Sequence, residues 1–193
     1  QAEVEEKGIL MRNGKIYSKN QGRDTLAFYP DDLTIKIFKP ETISAEELKE
    51  QGVLNTFSFG PTLLNNGVRD LTSRFHSRIG KQNPRSGIGM VEPGHFIAIT
   101  VDGRQNKYSV GMTIEEFTQL FYLLGCQTAY NLDGGASTAM IFMGESLNQH
   151  SGVGSDVQRP WTDGLFWGKS ELVPTVDDRV YNTGAKPWVI PPT

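Results

Sequence analysis

The sequence predicts a single α+β domain, built on a mixed, mostly antiparallel β-sheet with about two main helices packed on it. Asn-Gly and Pro-Gly turns between short apolar runs indicate hairpins, which join antiparallel strands. Two segments combine a capping box with a helix-forming sequence, which indicates two main helices. A doubly wound parallel sheet would require a helix between most successive strands, and the sequence offers too few. At 193 residues the chain has the length of one domain.

The first third of the chain is predicted to alternate short strands with turns. Residues 8–17 contain two strands around the Asn13-Gly14 dipeptide, a strong hairpin signal. Residues 33–38 alternate polar and apolar side chains, which predicts a half-buried strand. A β-prone run at residues 56–59 leads to a further turn at Asn66-Gly67.

Two capping boxes predict where the main helices begin. Ser44 is followed three residues later by a glutamate, and the short helix it opens ends at Gly52. Thr113 is followed by a glutamate at the same spacing. Beyond Thr113, apolar residues recur at helical spacing until Gly125 ends the helix.

The middle of the chain is predicted to supply the centre of the sheet. Residues 87–91 and 96–101 flank a Glu-Pro-Gly turn, and the second run is apolar on both faces, which predicts a central strand. Residues 128–132 are predicted to form another central strand. Residues 139–143 are predicted to form the strand that follows it in the chain. We expect one domain over residues 1–193, in which residues 169–193 are an extended C-terminal tail.

Composition argues against several classes of function. The net charge is −3 and no run of basic residues exists, so a nucleic-acid partner is not expected. No stretch approaches the ~20 apolar residues that span a bilayer. The single cysteine, Cys126, is predicted to be a small core residue. The histidines lack metal-ligand spacing, so no metal or cofactor is expected, although Asn131 and Asp133 leave an oxygen-ligated divalent cation open.

A Gly-Gly turn follows the predicted strand at residues 128–132. Consecutive glycines let a ligand approach the main chain closely, and the amides of such a turn can bind an anion. Asn131 and Asp133 are two residues apart and therefore lie on one face of the strand. A tight turn without any function has the same composition, and both interpretations remain open from the pattern alone. The candidate residues of this segment are Asn131, Asp133, Gly134, Gly135, Ser137 and Thr138.

A second Asp-Gly pair follows the apolar run at residues 96–101. Asp102 is the first residue after this strand, as Asp133 is after the later one. Two strands that both end in Asp-Gly predict two carboxylates at one edge of the sheet. Glycoside cleavage uses such a pair, one as general acid and the other as base or nucleophile.

Two arginines are candidates for phosphate binding, because a guanidinium matches the geometry of a phosphate. Arg85 lies at the start of a predicted strand, and Arg159 precedes Pro160. An isolated arginine on a solvated surface is the alternative for each of them.

These motifs together resemble the phosphodiester glycosidase family, over roughly residues 55 to 168. The resemblance rests on several spaced segments that occur in the right order, where a Gly-Gly turn alone would be weak. The segments are Phe59-Gly60-Pro61 with Asn66-Gly67, Arg85 with Ile88-Gly89, Asp102-Gly103-Arg104, Gly111-Met112-Thr113, Asn131 to Ser137, Asn148, and Arg159-Pro160.

The resemblance implies hydrolysis of a sugar-1-phosphate diester, in which the sugar leaves and the phosphate stays on the other partner. The residues that match motif positions of the family are Arg85, Asp102, Asn131, Asp133, Gly134, Gly135, Ser137 and Arg159. We expect catalytic roles for Asp133 and Asp102, and substrate or phosphate binding by Arg85, Arg159 and the Asn131–Thr138 segment. Bacterial members of the family are commonly linked to exopolysaccharide or cell-envelope polymers and are usually exported. An extracellular or envelope-associated enzyme is therefore expected.

Three departures from the family pattern keep alternatives open. Ala136 stands where the family often has a third glycine, and Ala139 replaces a usual hydroxyl residue. The family's Asn-Gly-Gly-like segment is expected just upstream of Gly8, and the chain from Gln1 lacks it. A non-catalytic module that binds an anionic glycopolymer is the main alternative, and a metal-dependent phosphatase is a third.

Overall fold

The computed structural model describes residues 7–70, 77–151 and 164–167, with the side chains at 77 and 78 left out. Within these residues the chain forms short strands and three α-helices. The strands are β1 (Ile9–Arg12), β2 (Lys15–Lys19), β3 (Thr25–Tyr29), β4 (Thr34–Phe38), β5 (Asn55–Phe57), β6 (Thr62–Asn65), β7 (Val68–Arg69), β8 (Arg85–Glu92), β9 (His95–Val101), β10 (Thr128–Asn131), β11 (Ile141–Phe142) and β12 (Glu145–Ser146). The helices are α1 (Ala45–Glu50), α2 (Ser77–Gly80) and α3 (Ile114–Leu123).

The strands pair into one five-stranded sheet and several smaller ones. The five-stranded sheet has the order β7-β6-β10-β8-β9, and a three-stranded sheet has the order β4-β3-β5. Two hairpins, β1-β2 and β11-β12, stand apart from these sheets. Each of these strand pairs is antiparallel. The predicted α+β class, with antiparallel sheet and two main helices, is confirmed.

Both predicted Asn-Gly turns are present and have the backbone that this dipeptide favours. Asn13 and Gly14 have φ values of 49° and 74°, and they join β1 to β2. Asn66 and Gly67 have φ values of 50° and 74°, and they join β6 to β7. Two successive residues with positive φ give the twist that a tight hairpin needs.

The predictions for two strands need correction, and a third strand was not predicted. Within the described sheet, β9 is the last strand and not a central one, whereas β10 lies between β6 and β8 as predicted. The run at residues 139–143 forms only β11, two residues of a separate hairpin. Strand β3, which was not predicted from the sequence, pairs with both β4 and β5.

The sheets stack as layers with α3 on one side. One face of the five-stranded sheet packs against α3, through Ile114, Phe117 and Phe121. The other face meets the three-stranded sheet in a cluster of buried side chains that includes Leu26 and Tyr130. On the far side of the three-stranded sheet, a third cluster joins β1, β3 and α1.

Two glycines of β8 let α3 lie directly on the sheet. A Cβ atom at Gly87 would lie 2.8 Å from the ring of Phe117, and one at Gly89 would lie 2.7 Å from the ring of Phe121. The same Cβ at Gly89 would lie 2.6 Å from the sulfur of Cys126, which is buried as predicted. Burial raises the pKa of the Cys126 thiol to about 11. This packing fixes α3 over the strand that begins with Arg85.

No described helix has both the length and the apolar character that a membrane-spanning helix needs.

Candidate active site

The ends of three strands meet at one end of the five-stranded sheet. Arg85, the first residue of β8, pairs with Val101, the last residue of β9. Gly87 pairs with Asn131, the last residue of β10. Because these strands are antiparallel neighbours, the segments that follow β9 and β10 emerge beside the start of β8. Asp102 and Asp133 therefore follow strands that end at the same place.

The Gly-Gly turn packs on the residue before β8. Gly135–Ser137 is a single turn of 3₁₀ helix, and Gly135 has a φ of 62°, which favours glycine. A Cβ atom at Gly134 would lie 2.6 Å from the carbonyl oxygen of Pro84. The backbone N–H of Gly135 donates to that same oxygen at 3.0 Å. Gly134 is thus required by close backbone packing.

The turn after Asp102 packs against the same proline. A Cβ atom at Gly103 would lie 2.8 Å from the nitrogen of Pro84 and 2.8 Å from the Cα of Gly111. The two Asp-Gly pairs that the sequence places at strand ends are therefore held together through Pro84.

The amides of the Gly-Gly turn are engaged within the protein. The N–H of Gly134 donates to Oδ1 of Asp133 at 2.9 Å, and that of Gly135 donates to Pro84. The predicted role of these amides in holding phosphate would require the turn to rearrange. Asp133 itself has a further interaction beyond this hydrogen bond.

Three donors fix the carboxylate of Asp102. The Tyr108 hydroxyl donates to Oδ2 at 2.8 Å, and Nδ2 of Asn148 donates to Oδ1 at 3.2 Å. The backbone N–H of Gln149 lies 3.1 Å from Oδ2. The carboxylate in turn raises the pKa of Tyr108, because loss of the phenol proton would remove its hydrogen bond and place two negative charges together.

The segment from Asn148 to Ser151 ties Asp102 to the Gly-Gly turn. Nδ2 of Asn148 also donates to the carbonyl of Thr138 at 3.2 Å. The hydroxyl of Ser151 donates to the carbonyl of Gly135 at 3.2 Å. Asn148 belongs to the motif seen in the sequence, but no role in the site was predicted for it. Its role depends on contacts 10 and 46 residues away, which the local sequence does not display.

Buried polar atoms without partners concentrate around this turn. Asn131 donates from Nδ2 to the carbonyl of Gly60 at 2.8 Å, but its Oδ1 has no hydrogen bond to the described residues. The same holds for Oγ of Ser137, Oγ1 of Thr138 and Nδ1 of His150. Burying a polar group without a hydrogen bond costs free energy, so these atoms have unused hydrogen-bonding capacity.

Arg85 is buried in a setting of backbone carbonyls. Its side chain is 4% exposed, and it donates to the carbonyl oxygens of Ile79, Lys81 and Met112. Burial and the neighbouring Arg104 lower its pKa to about 10, so it remains charged at neutral pH. These contacts hold the segment before β8 and the start of α3 around the site.

The second predicted phosphate ligand, Arg159, lies outside the described residues, as does the predicted tail at residues 169–193. Within the described ranges, no group of three or more histidine, cysteine or acidic side chains is arranged to hold a metal ion. A described cation that the sequence analysis left without a role, Arg104, lies against the Gly-Gly turn. A Cβ atom at Gly135 would lie 3.0 Å from Nη1 of Arg104.

Residues 1–166 match the family model of the phosphodiester glycosidases. Because this match covers most of the chain, the protein belongs to the phosphodiester glycosidase family. The resemblance seen in the sequence is thereby confirmed.

The chain is also similar to one bacterial protein and to two solved structures. It is 29% identical over 164 residues to the SPbeta prophage-derived uncharacterized protein YomE of Bacillus subtilis, covering 82% of this chain and 25% of that protein. The zebrafish N-acetylglucosamine-1-phosphodiester α-N-acetylglucosaminidase catalytic domain, auto-inhibited by its pro-peptide, superposes with a TM-score of 0.64 at 19% identity. That match covers 80% of this chain and 54% of the zebrafish chain, and it supports the fold. The crystal structure of a hypothetical protein from Synechocystis gives a TM-score of 0.47 at 19% identity. That match covers 67% of this chain and 31% of the Synechocystis chain.

The chain thus spans a quarter of the length of YomE and about half of the zebrafish chain.

Proposed function

We propose that this protein hydrolyses the glycosyl–phosphate bond of a sugar-1-phosphate diester, so that the sugar is freed and the phosphate stays on the other partner. Membership of the phosphodiester glycosidase family supports this reaction class. The single observation that links this reaction to the site is the packing of two Asp-Gly turns against Pro84. That packing keeps the Asp102 and Asp133 segments together at one end of the sheet.

Paired carboxylates suit this reaction. Cleavage of a glycosidic bond develops positive charge on the sugar ring. A nearby carboxylate either stabilises this charge or attacks the anomeric carbon as a nucleophile. A phosphate departs readily as an anion, so the reaction depends more on base or nucleophile than on protonation of the leaving group. Both Asp102 and Asp133 can serve here, and the two roles are not assigned between them.

The Asp133→Asn variant is the test of this assignment. We expect turnover of an aryl sugar-1-phosphodiester to fall by roughly 10²- to 10⁴-fold, because an amide neither accepts a proton nor attacks the sugar. Release of free sugar is the measurement, and thermal unfolding checks that the variant is folded. Asp32→Asn is the matched control, since Asp32 is an exposed aspartate in the turn between β3 and β4. Unchanged turnover in folded Asp133→Asn protein would overturn the assignment.

Membership of the family supports a sugar phosphodiester as the class of substrate. We propose an anionic glycopolymer or other sugar phosphodiester of exopolysaccharide or cell-envelope type, and an extracellular or envelope-associated site of action. The unpartnered atoms of Asn131, Ser137 and Thr138 suit a ligand rich in hydroxyl groups. If such a polymer binds tightly and no sugar is released, the chain is a binding module and not an enzyme.

A further inference from the structure

We propose that Arg104, held by Asn83, is the cation that binds the phosphate of the substrate. The proposal rests on the proposed function for the presence of a phosphate, and it names the protein group that contacts it. The sequence pattern instead predicts phosphate binding by Arg85, Arg159 and the Asn131–Thr138 segment.

The position of Arg104 depends on the Gly-Gly turn. A Cβ atom at Gly135 would lie 3.0 Å from Nη1, 3.1 Å from Nη2 and 3.3 Å from Cζ of Arg104. The guanidinium therefore lies across the surface that a side chain at Gly135 would occupy. A glycine here serves two purposes, because it also accepts the positive φ of 62°.

The hydrogen bonds of Arg104 leave donors for a ligand. Its Nε and Nη2 both donate to Oδ1 of Asn83, at 3.2 and 2.8 Å. No other hydrogen-bond partner of this guanidinium occurs in the part of the chain that the structure describes. A guanidinium has five N–H donors, so Nη1 keeps its own and they are available to an anion.

Arg85 lacks this availability. Its guanidinium is buried and donates to three backbone carbonyls, whereas Arg104 is exposed to solvent. Arg85 thus acts as a positioning residue for the segment that carries Asn83. Asn83 in turn pairs through its backbone with Met112, a carbonyl partner of Arg85.

The two guanidiniums also create an unbalanced positive charge. Arg104 is close enough to help lower the pKa of Arg85. Neither side chain forms an ion pair with a carboxylate of the described residues. Two cations held together with only neutral partners favour binding of an anion. In addition, Arg104 has a φ of 58°, which is uncommon for a residue other than glycine and recurs at functional sites.

The test compares Arg104→Gln with Lys107→Gln. Both changes remove one positive charge from the same exposed loop, so they differ in position and not in net charge. The probe is inorganic phosphate, added at the ionic strength of a chloride reference, and the measured quantity is the rise in Tm that phosphate causes. Arg104→Lys is a third variant, which keeps the charge but loses the planar donor geometry.

We expect phosphate to raise the Tm of the wild-type and Lys107→Gln proteins, because a ligand that binds only the folded state stabilises it. The rise should be lost in Arg104→Gln and reduced in Arg104→Lys. Without phosphate, Arg104→Gln should unfold at the wild-type temperature or above it, since one of two neighbouring cations is gone. A merely structural role of Arg104 would instead lower that Tm.

Two results would overturn the proposal. One is a wild-type phosphate response in Arg104→Gln, and the other is an equal loss in Arg104→Gln and Lys107→Gln, which would indicate only general electrostatics. Absence of any phosphate response in the wild-type protein counts against it as well. Because binding is measured without turnover, a protein that binds phosphate through Arg104 but releases no sugar would refute the proposed reaction and leave this site standing.

Discussion

Pro84 is the residue on which the geometry of the site depends. The turns after Asp102 and Asp133 both approach it so closely that neither Gly103 nor Gly134 leaves room for a Cβ atom. The sequence shows each Asp-Gly pair but does not show that Pro84 lies between the two turns in space, since Pro84 is distant from both along the chain.

At the residue scale, Gly134→Ala is expected to lower both stability and activity. The new methyl group would lie 2.6 Å from the carbonyl of Pro84, and overpacking of this kind costs about 1–3 kcal/mol. Denaturant unfolding measures the loss of stability, and release of free sugar measures the loss of activity. Gly125→Ala is the control, because a Cβ atom there meets nothing within 4 Å. That variant should lose only about 1 kcal/mol from its positive φ, and should keep its activity.

The candidate residues show what local sequence can predict about a site. Asp102 and Asp133 were predictable, because an acidic residue directly after an apolar strand lies at the end of the sheet. The environment of Arg85 was not, because its three carbonyl partners include Met112, 27 residues away. The position of Arg104 against Gly135 was not predictable for a similar reason, since this contact arises only from tertiary packing.

At the element scale, β9 shows the limit of hydrophobic patterning. Phe96 packs into the core between the two sheets, while Ile97 and Ile99 pack into the core beneath α3. Each face of β9 is therefore covered in part, since Ala98 is exposed and no residue of the strand is fully buried, and its sequence is apolar on both faces. Coverage of the two faces does not require a hydrogen-bonded neighbour on each side, and in the described sheet β9 pairs with β8 alone.

The capping box of α3 was predicted from sequence and is present. The N–H of Glu116 donates to the hydroxyl of Thr113 at 3.1 Å, and the N–H of Thr113 donates to Oε2 of Glu116 at 2.8 Å. Capping boxes are predictable because their partners are only three residues apart. The box also fixes the start of α3 next to Met112, whose carbonyl binds Arg85.

Thr113→Ala is expected to destabilise the protein by about 1 kcal/mol at neutral pH, the usual cost of losing an N-cap. The backbone N–H and the hydroxyl of Thr113 lower the pKa of Glu116 below its ordinary value. Such a carboxylate stabilises the fold above its unfolded pKa, and the contribution is lost as pH falls through the lower, folded pKa. The variant keeps the backbone N–H of this residue and loses the hydroxyl, so the part of the difference in unfolding free energy that comes from the hydroxyl–carboxylate contact should be lost in acid, below about pH 4.

Denaturant unfolding at a series of pH values measures this difference. Glu115→Gln is the control, because it removes a neighbouring charge from the same helical turn without touching the box. A difference that stays constant or widens in acid would contradict this account of the cap.

At the scale of the whole molecule, layering brings the site together. Helix α3, the five-stranded sheet and the three-stranded sheet pack in sequence, and the strand ends that carry Asp102, Asp133 and Arg85 meet at one end of the middle layer. The sequence predicted the class and most elements, because turns and caps are local. The order of the strands was harder to predict from the sequence, because the residues that pair β6 with β10 and β10 with β8 are far apart along the chain.

The central claim is that the bond between the sugar and the phosphate oxygen is the bond that breaks. Hydrolysis of an aryl sugar-1-phosphodiester in ¹⁸O-labelled water, followed by mass spectrometry of the phosphate product, tests it most directly. A glycosidase delivers the water oxygen to the sugar, so we predict release of free sugar and a phosphate product without ¹⁸O. Incorporation of ¹⁸O into the phosphate would show attack at phosphorus and would contradict the account.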